Sequence, residues 1–431
     1  MGQIYSLFYR VLINLLVPVV LVRFLIRGVT RREYWQRLTE RFGYLPSSLI
    51  PGSIWIHAVS VGEVNAVRPL VEYLLENSDV PVLLSCVTPT GSAQITRLFG
   101  SRVSQVYAPV DSGIIVNRAL ERVKPCAIII AETELWPNFL RVSGARKIPV
   151  AFVNLRLSDT TFSRARFFLP LCRHALKNVS AFCVQTQVDA ERITVLGASS
   201  DLVHVTGNLK FDMKAPDGIQ ETGVALREHW GGTGRPTVVL GSSHEGEESR
   251  FLQLMIELRV DFPELVAVIV PRHPERFNRV FRQISDCGFS VSRVSEWHSD
   301  AKVNADVILA DTMGKLLEFY AASDIAVVGG SFAAVGGHNV LEPILVGTPV
   351  VFGPDMSNFR EISKLVLESG AGERVDDFAA LKPVLNRLLQ DSDLRELRVG
   401  DGSRLLETNR GALQRTTDHL EGLLKLNSAL E

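Results

Sequence analysis

Short, uninterrupted apolar runs rich in valine and isoleucine alternate along this chain with longer stretches of helix-like character. The runs fall at 53–59, 80–87, 126–131, 149–154 and 181–185, and again at 237–241, 266–270, 305–310, 325–328 and 349–352. A strand that is apolar at every position, rather than at alternate ones, is covered on both faces. Such strands joined by helical crossovers predict parallel, doubly wound α/β sheets. A polar stretch, 213–234, ends in Gly231-Gly232-Thr233-Gly234 and separates the two series. The pattern predicts two α/β domains, 29–214 and 235–431, with 215–234 as the linker region.

The polar residues cluster where each run ends. In open α/β sheets ligands bind beyond the carboxyl ends of the strands. Those ends carry Ser60-Val61-Gly62-Glu63, Thr88-Pro89-Thr90-Gly91 and Glu132-Thr133-Glu134-Leu135-Trp136-Pro137 in the first half. In the second half they carry Ser242-Ser243-His244-Glu245-Gly246-Glu247, Pro271-Arg272-His273, Asp311-Thr312-Met313-Gly314 and a loop running from Gly329-Gly330 through Gly336-Gly337-His338-Asn339. Seven such loops from two domains predict an enzyme that grips its ligand in an interdomain cleft. The paired glycines let backbone turn sharply and approach a ligand closely. The helix expected after them offers unpaired N–H groups to a phosphate.

Glu63 sits at the expected start of a helix, which favours an ionised carboxylate of lowered pKa. It is either a general base or a first-turn acid that complements the dipole. Glu132 and Glu134 end an apolar strand and either orient a substrate or pair with a cation. Arg272 and Arg276 suit bidentate pairing with a phosphate or carboxylate, and His273 adds a donor. Lys210 is a ligand contact or a solvated lysine. Glu342, one turn past Asn339, suits hydrogen bonding to ribose hydroxyls. No GxxxxGK[ST] occurs and no GxGxxG follows the first strand, so the common ATP and NAD fingerprints are missing. No metal-like cluster of His, Asp and Cys is spaced along the chain. A metal-free reaction of a nucleotide sugar follows as the expectation.

Composition narrows the class. The chain has 431 residues, 46% apolar and 22% charged, with a net charge of −1. That is globular and gives no reason to expect a nucleic-acid partner. The 5 cysteines are scattered without CxxC spacing, which argues for a reducing compartment. Residues 4–26 are strongly apolar, and Arg23, Arg27, Arg31, Arg32, Arg37 and Arg41 follow or flank them. A cleaved leader fits poorly with arginines at the cleavage position. A membrane anchor over 1–28, spanning or interfacial, is the preferred reading over a buried core helix. Arginines on its C-terminal side place the remainder in the cytoplasm if it spans.

Taken together, Val59-Ser60-Val61-Gly62-Glu63, Glu132-Thr133-Glu134-Leu135-Trp136-Pro137, Gly207-Asn208-Leu209-Lys210-Phe211, His244-Glu245-Gly246-Glu247, Val270-Pro271-Arg272-His273 and Gly336-Gly337-His338-Asn339 resemble the bacterial 3-deoxy-D-manno-octulosonic acid (Kdo) transferases of lipopolysaccharide synthesis. The resemblance covers nearly the whole chain. It implies a GT-B fold of two Rossmann-like domains, CMP-Kdo as donor substrate, and the tetraacylated, bisphosphorylated lipid A precursor as acceptor. It implies inversion at the anomeric carbon with Glu63 as general base and Glu132 as a second acid. Donor binding falls to Lys210, Pro271, Arg272, Met313, Gly314, Lys315, Gly337, His338, Asn339, Val340, Leu341 and Glu342. Lys315 and Val340 depart from residues common in the family. The resemblance further implies no cofactor and no metal, membrane lipids as partners, and the cytoplasmic face of the inner membrane. Two rival readings are a UDP-sugar transferase or epimerase of the same fold, and a non-catalytic membrane scaffold.

Overall fold

The structure, a computed structural model, describes residues 2–30, 32–297 and 302–425. Arg31, Met1 and the chain beyond 425 lie outside the described residues. Two compact units emerge: Met1–Met213 together with Asn409–Glu431, and Lys214–Thr408.

The first unit is built on β1 (Ile54–His57), β2 (Val82–Cys86), β3 (Ser104–Tyr107), β4 (Ala127–Ala131), β5 (Val150–Leu155), β6 (Ala181–Val184) and β7 (Val203–Val205). All pairs are parallel, in the order β3-β2-β1-β4-β5-β6-β7. Successive side chains of a strand point to opposite faces. Trp55 and Ile128 accordingly enter one apolar cluster, and Ile54, Ile56 and Ile129 the other. Both clusters are roofed by helices, which is why the central runs are apolar throughout.

The second unit repeats the plan with β8 (Thr237–Ser243), β9 (Val266–Pro271), β10 (Val291–Arg293), β11 (Val307–Leu309), β12 (Ile325–Val328), β13 (Val350–Phe352) and β14 (Gly372–Arg374). The order is β10-β11-β9-β8-β12-β13-β14, again all parallel. Each sheet has a central switch point, between β1 and β4 and between β8 and β12; in the second sheet β11 also lies between β10 and β9. Crevices at such switch points are where open α/β sheets take ligands. Two doubly wound units of this kind constitute the GT-B fold class that the motifs implied.

Two boundaries differ from expectation. The stretch 215–234 is not a linker: it forms the helix Ile219–His229, whose Ile219 joins the second unit's core with Trp230. Arg227 of that helix forks onto Asp324, with Nη1 and Nη2 at 2.9 and 2.6 Å. Nor does the C-terminal segment belong with the second unit. The helix Ala412–Lys425 packs Ala412 and Leu420 into the first unit's core. Asp212 caps its start, accepting from the N–H groups of Gly411 and Leu413 at 2.7 Å each.

The N-terminal helix Gly2–Thr30 has a mean hydropathy of 2.1 over its most apolar window, of which only 6% is buried. By length and composition it can cross a membrane, and such low burial does not suit a core helix. One face is nevertheless docked on the first unit. Tyr9 donates to Asp111 Oδ2 at 2.8 Å, Ser112 donates to Asn14 Oδ1 at 2.7 Å, and Trp35 Nε1 donates to the Leu25 carbonyl at 3.0 Å. The opposite face leaves Ile4, Phe8, Leu15, Val19, Ile26 and Val29 exposed.

Candidate active site

At the β1–β4 reversal, β1 runs into Ser60, which caps the helix Val61–Ala66. The Ser60 hydroxyl accepts from Glu63 N at 3.4 Å, and Glu63 returns the arrangement, its Oε2 accepting from Val59 N at 2.7 Å. This reciprocal cap fixes the carboxyl at the mouth of the crevice. Glu63 is only 9% exposed. Burial, with Glu132 and Glu134 nearby, pushes its pKa up to about 8 against the pull of the Val59 N–H. The lowered pKa expected from the helix start is therefore wrong. Desolvation of a carboxylate outweighs the field of a six-residue helix.

Glu132 follows β4 directly, in the left-handed region, with φ 49°. A non-glycine residue held there stores strain of about 1–3 kcal/mol, a cost often found at functional sites. Lys210, also of the first unit, brings Nζ to 3.3 Å from Glu132 Oε1. The loop that carries Lys210 is held from below. Asn154, buried and likewise left-handed (φ 54°), accepts from Leu209 N at 2.9 Å. Glu134 accepts from Trp136 Nε1 at 2.8 Å, and Trp136 meets the buried His57 ring edge-on with centroids 4.6 Å apart. Burial raises the Glu134 pKa and takes that of His57 down to about 4. Three carboxyls and one ammonium thus share the crevice, with one carboxyl holding its proton near neutral pH.

In the second unit the β8–β12 reversal is lined by His244 and the glycine loop. Glu247 is the post around which that loop is wound: it accepts from His244 N and Gly330 N at 2.8 Å each and from Phe332 N at 3.1 Å. His338 Nε2 lies 2.9 Å from His244 Nε2. Burial and neighbouring cations hold the His338 pKa down to about 3, so that ring stays neutral. Gly337 has φ 70°, and a Cβ there would stand 2.4 Å from Met356 Sδ. Arg272 follows β9 and makes no ion pair among the described residues, whereas Pro271 is buried. Met313, Gly314 and Lys315 form an exposed loop beyond β11. Asn339 accepts from Leu341 N at 3.1 Å, and Val340 and Leu341 are buried beside the partly exposed Glu342.

Two expectations need revision here. Arg276 is not available for a phosphate through its fork, because Nη1 and Nη2 each donate to Glu248 at 2.8 Å. Glu248 is 1% exposed, and a buried carboxylate needs its countercharge. The helix after the glycine loop, Leu341–Leu345, has 5 residues, so its dipole end is small and the cradle rests on loop N–H groups. The structure brings Glu63, Glu132 and Lys210 together in the first unit. It brings Arg272, Gly337 and His338 to the β9 and β12 ends of the second. The structural roles of His57, Asn154 and Glu247 had no signal in the sequence beyond their positions at strand ends.

Residues 36–213 match the family model described as 3-Deoxy-D-manno-octulosonic-acid transferase (kdotransferase). The chain is 35% identical over 424 residues to the 3-deoxy-D-manno-octulosonic acid transferase of Haemophilus influenzae, covering 97% of this chain and 99% of that one. It is 35% identical over 393 residues to the enzyme of the same name from Bordetella pertussis, covering 89% and 90%. Among solved structures it superposes on UDP-GlcNAc 2-epimerase from Neisseria meningitidis with a TM-score of 0.55 at 14% identity, covering 86% of this chain and 100% of that one. At that identity the likeness is one of fold alone.

Proposed function

Because the chain belongs to the 3-deoxy-D-manno-octulosonic acid transferase family, we propose that it transfers Kdo from CMP-Kdo to the tetraacylated lipid A precursor with inversion at the anomeric carbon. Glu63 takes the proton from the attacking hydroxyl. Its fixed, nearly buried place at the β1–β4 switch point carries this reading, and burial beside Glu132 and Glu134 pushes its pKa up to about 8. A general base works best when its pKa lies near the working pH. A carboxylate of ordinary pKa is a weaker general base toward an alcohol. Glu132, steadied by Lys210, keeps negative charge beside Glu63 and sustains that basicity.

The second unit holds the CMP moiety. Arg272 faces the leaving phosphate, and the loop from Gly337 to Glu342 with Met313-Gly314-Lys315 encloses the nucleotide. Arginine and loop N–H groups stabilise the departing charge, so the proposed reaction uses no metal and no cofactor. The exposed apolar face of the N-terminal helix associates with the inner membrane from its cytoplasmic side, where a lipid acceptor resides.

The test is transfer in vitro. The enzyme is incubated with CMP-Kdo generated in situ and lipid A precursor, and the product mass is read. One or more Kdo increments are expected, insensitive to chelator. Transfer from a UDP-sugar with no response to CMP-Kdo would overturn the donor assignment in favour of the rival class.

A further inference from the structure

Beneath the N-terminal helix lies a cavity of about 330 Å³ that the reaction above does not use. Tyr9, Val20 and Phe24 of that helix form one wall, and Val110, Asp111 and Trp136, beyond the ends of β3 and β4, form part of the other. Its lining holds one cation, Arg41, 1% exposed overall, and one carboxyl, that of Asp111. The guanidinium is stacked between the Tyr107 ring at 4.0 Å and the Phe24 ring at 4.4 Å. Its Nε and Nη2 are buried and meet no hydrogen-bond partner among the described residues.

The neighbouring acids are committed elsewhere. Glu40 takes the fork of Arg37 at 2.8 and 2.9 Å and the N–H of Tyr107 at 2.7 Å. Asp111 accepts from Tyr9 and from the N–H groups of Asn138 and Phe139, at 2.8, 3.1 and 2.7 Å. A desolvated guanidinium with unmet donors is costly unless an anion completes it. Nε–H and one Nη–H form the edge that donates to two oxygens of one oxyanion. Stacking on both faces fixes that edge in direction.

An oxyanion here sits in an apolar chamber walled by a helix whose outer face is suited to a membrane. We propose that this cavity binds the phosphate of a lipid, with Arg41 as its anchor, and that the phosphorylated acceptor is the occupant. The acceptor assignment rests on the transferase reading. Trp136 links the cavity wall to Glu134, so a lipid seated there is held beside the carboxyl cluster that carries out the transfer.

The experiment uses the full chain in detergent with three variants: Arg41→Gln, Arg41→Lys, and Val20→Trp, which fills the cavity while leaving Arg41 intact. Folding is checked by thermal melt. Initial rates are measured with lipid A precursor and with the same lipid after enzymatic removal of its phosphates. Retention on phosphatidylcholine vesicles, with and without phosphatidic acid, is measured in parallel. Arg41→Gln and Val20→Trp are expected to raise the acceptor KM about tenfold or more with little change in donor KM. That penalty should shrink on the dephosphorylated lipid, and Arg41→Lys should recover part of it. Loss of phosphatidic-acid-dependent retention without a change in acceptor KM supports the cavity and assigns bulk phospholipid as the source. Equal rate losses on both acceptors, or no change in either assay, overturn the proposal. Failure of the transferase reading shows separately, as a wild-type chain that forms no Kdo-bearing product while the vesicle arm still reports on Arg41.

Discussion

Lys210 Nζ stands 3.3 Å from Oε1 of Glu132, a residue held at φ 49° where β4 ends. Glu132 is one of the charges that raise the Glu63 pKa. Lys210→Ala leaves Glu132 uncompensated and should drive the Glu63 pKa higher. The expected result is a pH–rate profile shifted to higher pH and a loss on the order of tenfold in kcat at pH 7. Lys210→Arg should restore most of it. A profile unmoved by Lys210→Ala would separate the ion pair from the base.

Glu63→Gln removes the proposed base while keeping the cap geometry. A fall in kcat of about 10²–10⁴-fold is expected, with substrate KM values little changed. In the wild type kcat/KM should rise with pH to a midpoint near 8, and that limb should vanish in the variant. Stopped assays across about pH 6 to 9 check both.

The same shift has a consequence for stability. The folded chain holds the Glu63 proton more tightly than the unfolded chain does, so ionising it costs stability as pH climbs from about 4.5 to about 8. Glu63→Gln lacks that cost. Its Tm relative to wild type is expected to improve between pH 5 and pH 9, as calorimetry at the two values would show.

Two arginines near β9 should behave oppositely. Glu248→Ala strands the Arg276 fork and Arg276→Ala strands a buried carboxylate, each at about 3–5 kcal/mol. Both should lower Tm with donor affinity changing only as far as folding does. Arg272→Ala should leave Tm nearly unchanged and weaken CMP binding, by about 1.5–3 kcal/mol if a charged hydrogen bond is lost. Titration calorimetry with CMP alongside thermal melts distinguishes the two behaviours.

Gly337→Ala introduces a methyl 2.4 Å from Met356 Sδ and 3.0 Å from the Asp355 carbonyl at a φ of 70°. About 1–3 kcal/mol of strain is expected, with distortion of the loop that carries His338. CMP affinity should fall together with the second unit's melting temperature.

The ten strands legible in the sequence are the inner ones of both sheets. The four that escaped notice, β3, β7, β10 and β14, are the four sheet edges. Ser104-Gln105-Val106-Tyr107, Val203-His204-Val205, Val291-Ser292-Arg293 and Gly372-Glu373-Arg374 are short and mixed in polarity. An edge strand has one neighbour and a wetter face, so it lacks the continuous apolar run that marks a central one. The candidate site was legible as loops at strand ends, because open α/β sheets take ligands there. What the loops do internally was not. That Glu248 claims Arg276, or that burial overrides the helix field at Glu63, depends on packing between residues distant in sequence.

The helix Ala412–Lys425 closes the core of the unit that the first half of the chain begins. Lys214–Thr408 is thus an insertion within a discontinuous domain. During synthesis the inserted unit has every residue it needs before its host does. The acid-bearing sheet must wait, its Leu420 contact unmade, until the helix Ala412–Lys425 has left the ribosome. A stop codon just after residue 408 would spare Lys214–Thr408 and cripple the half that carries Glu63.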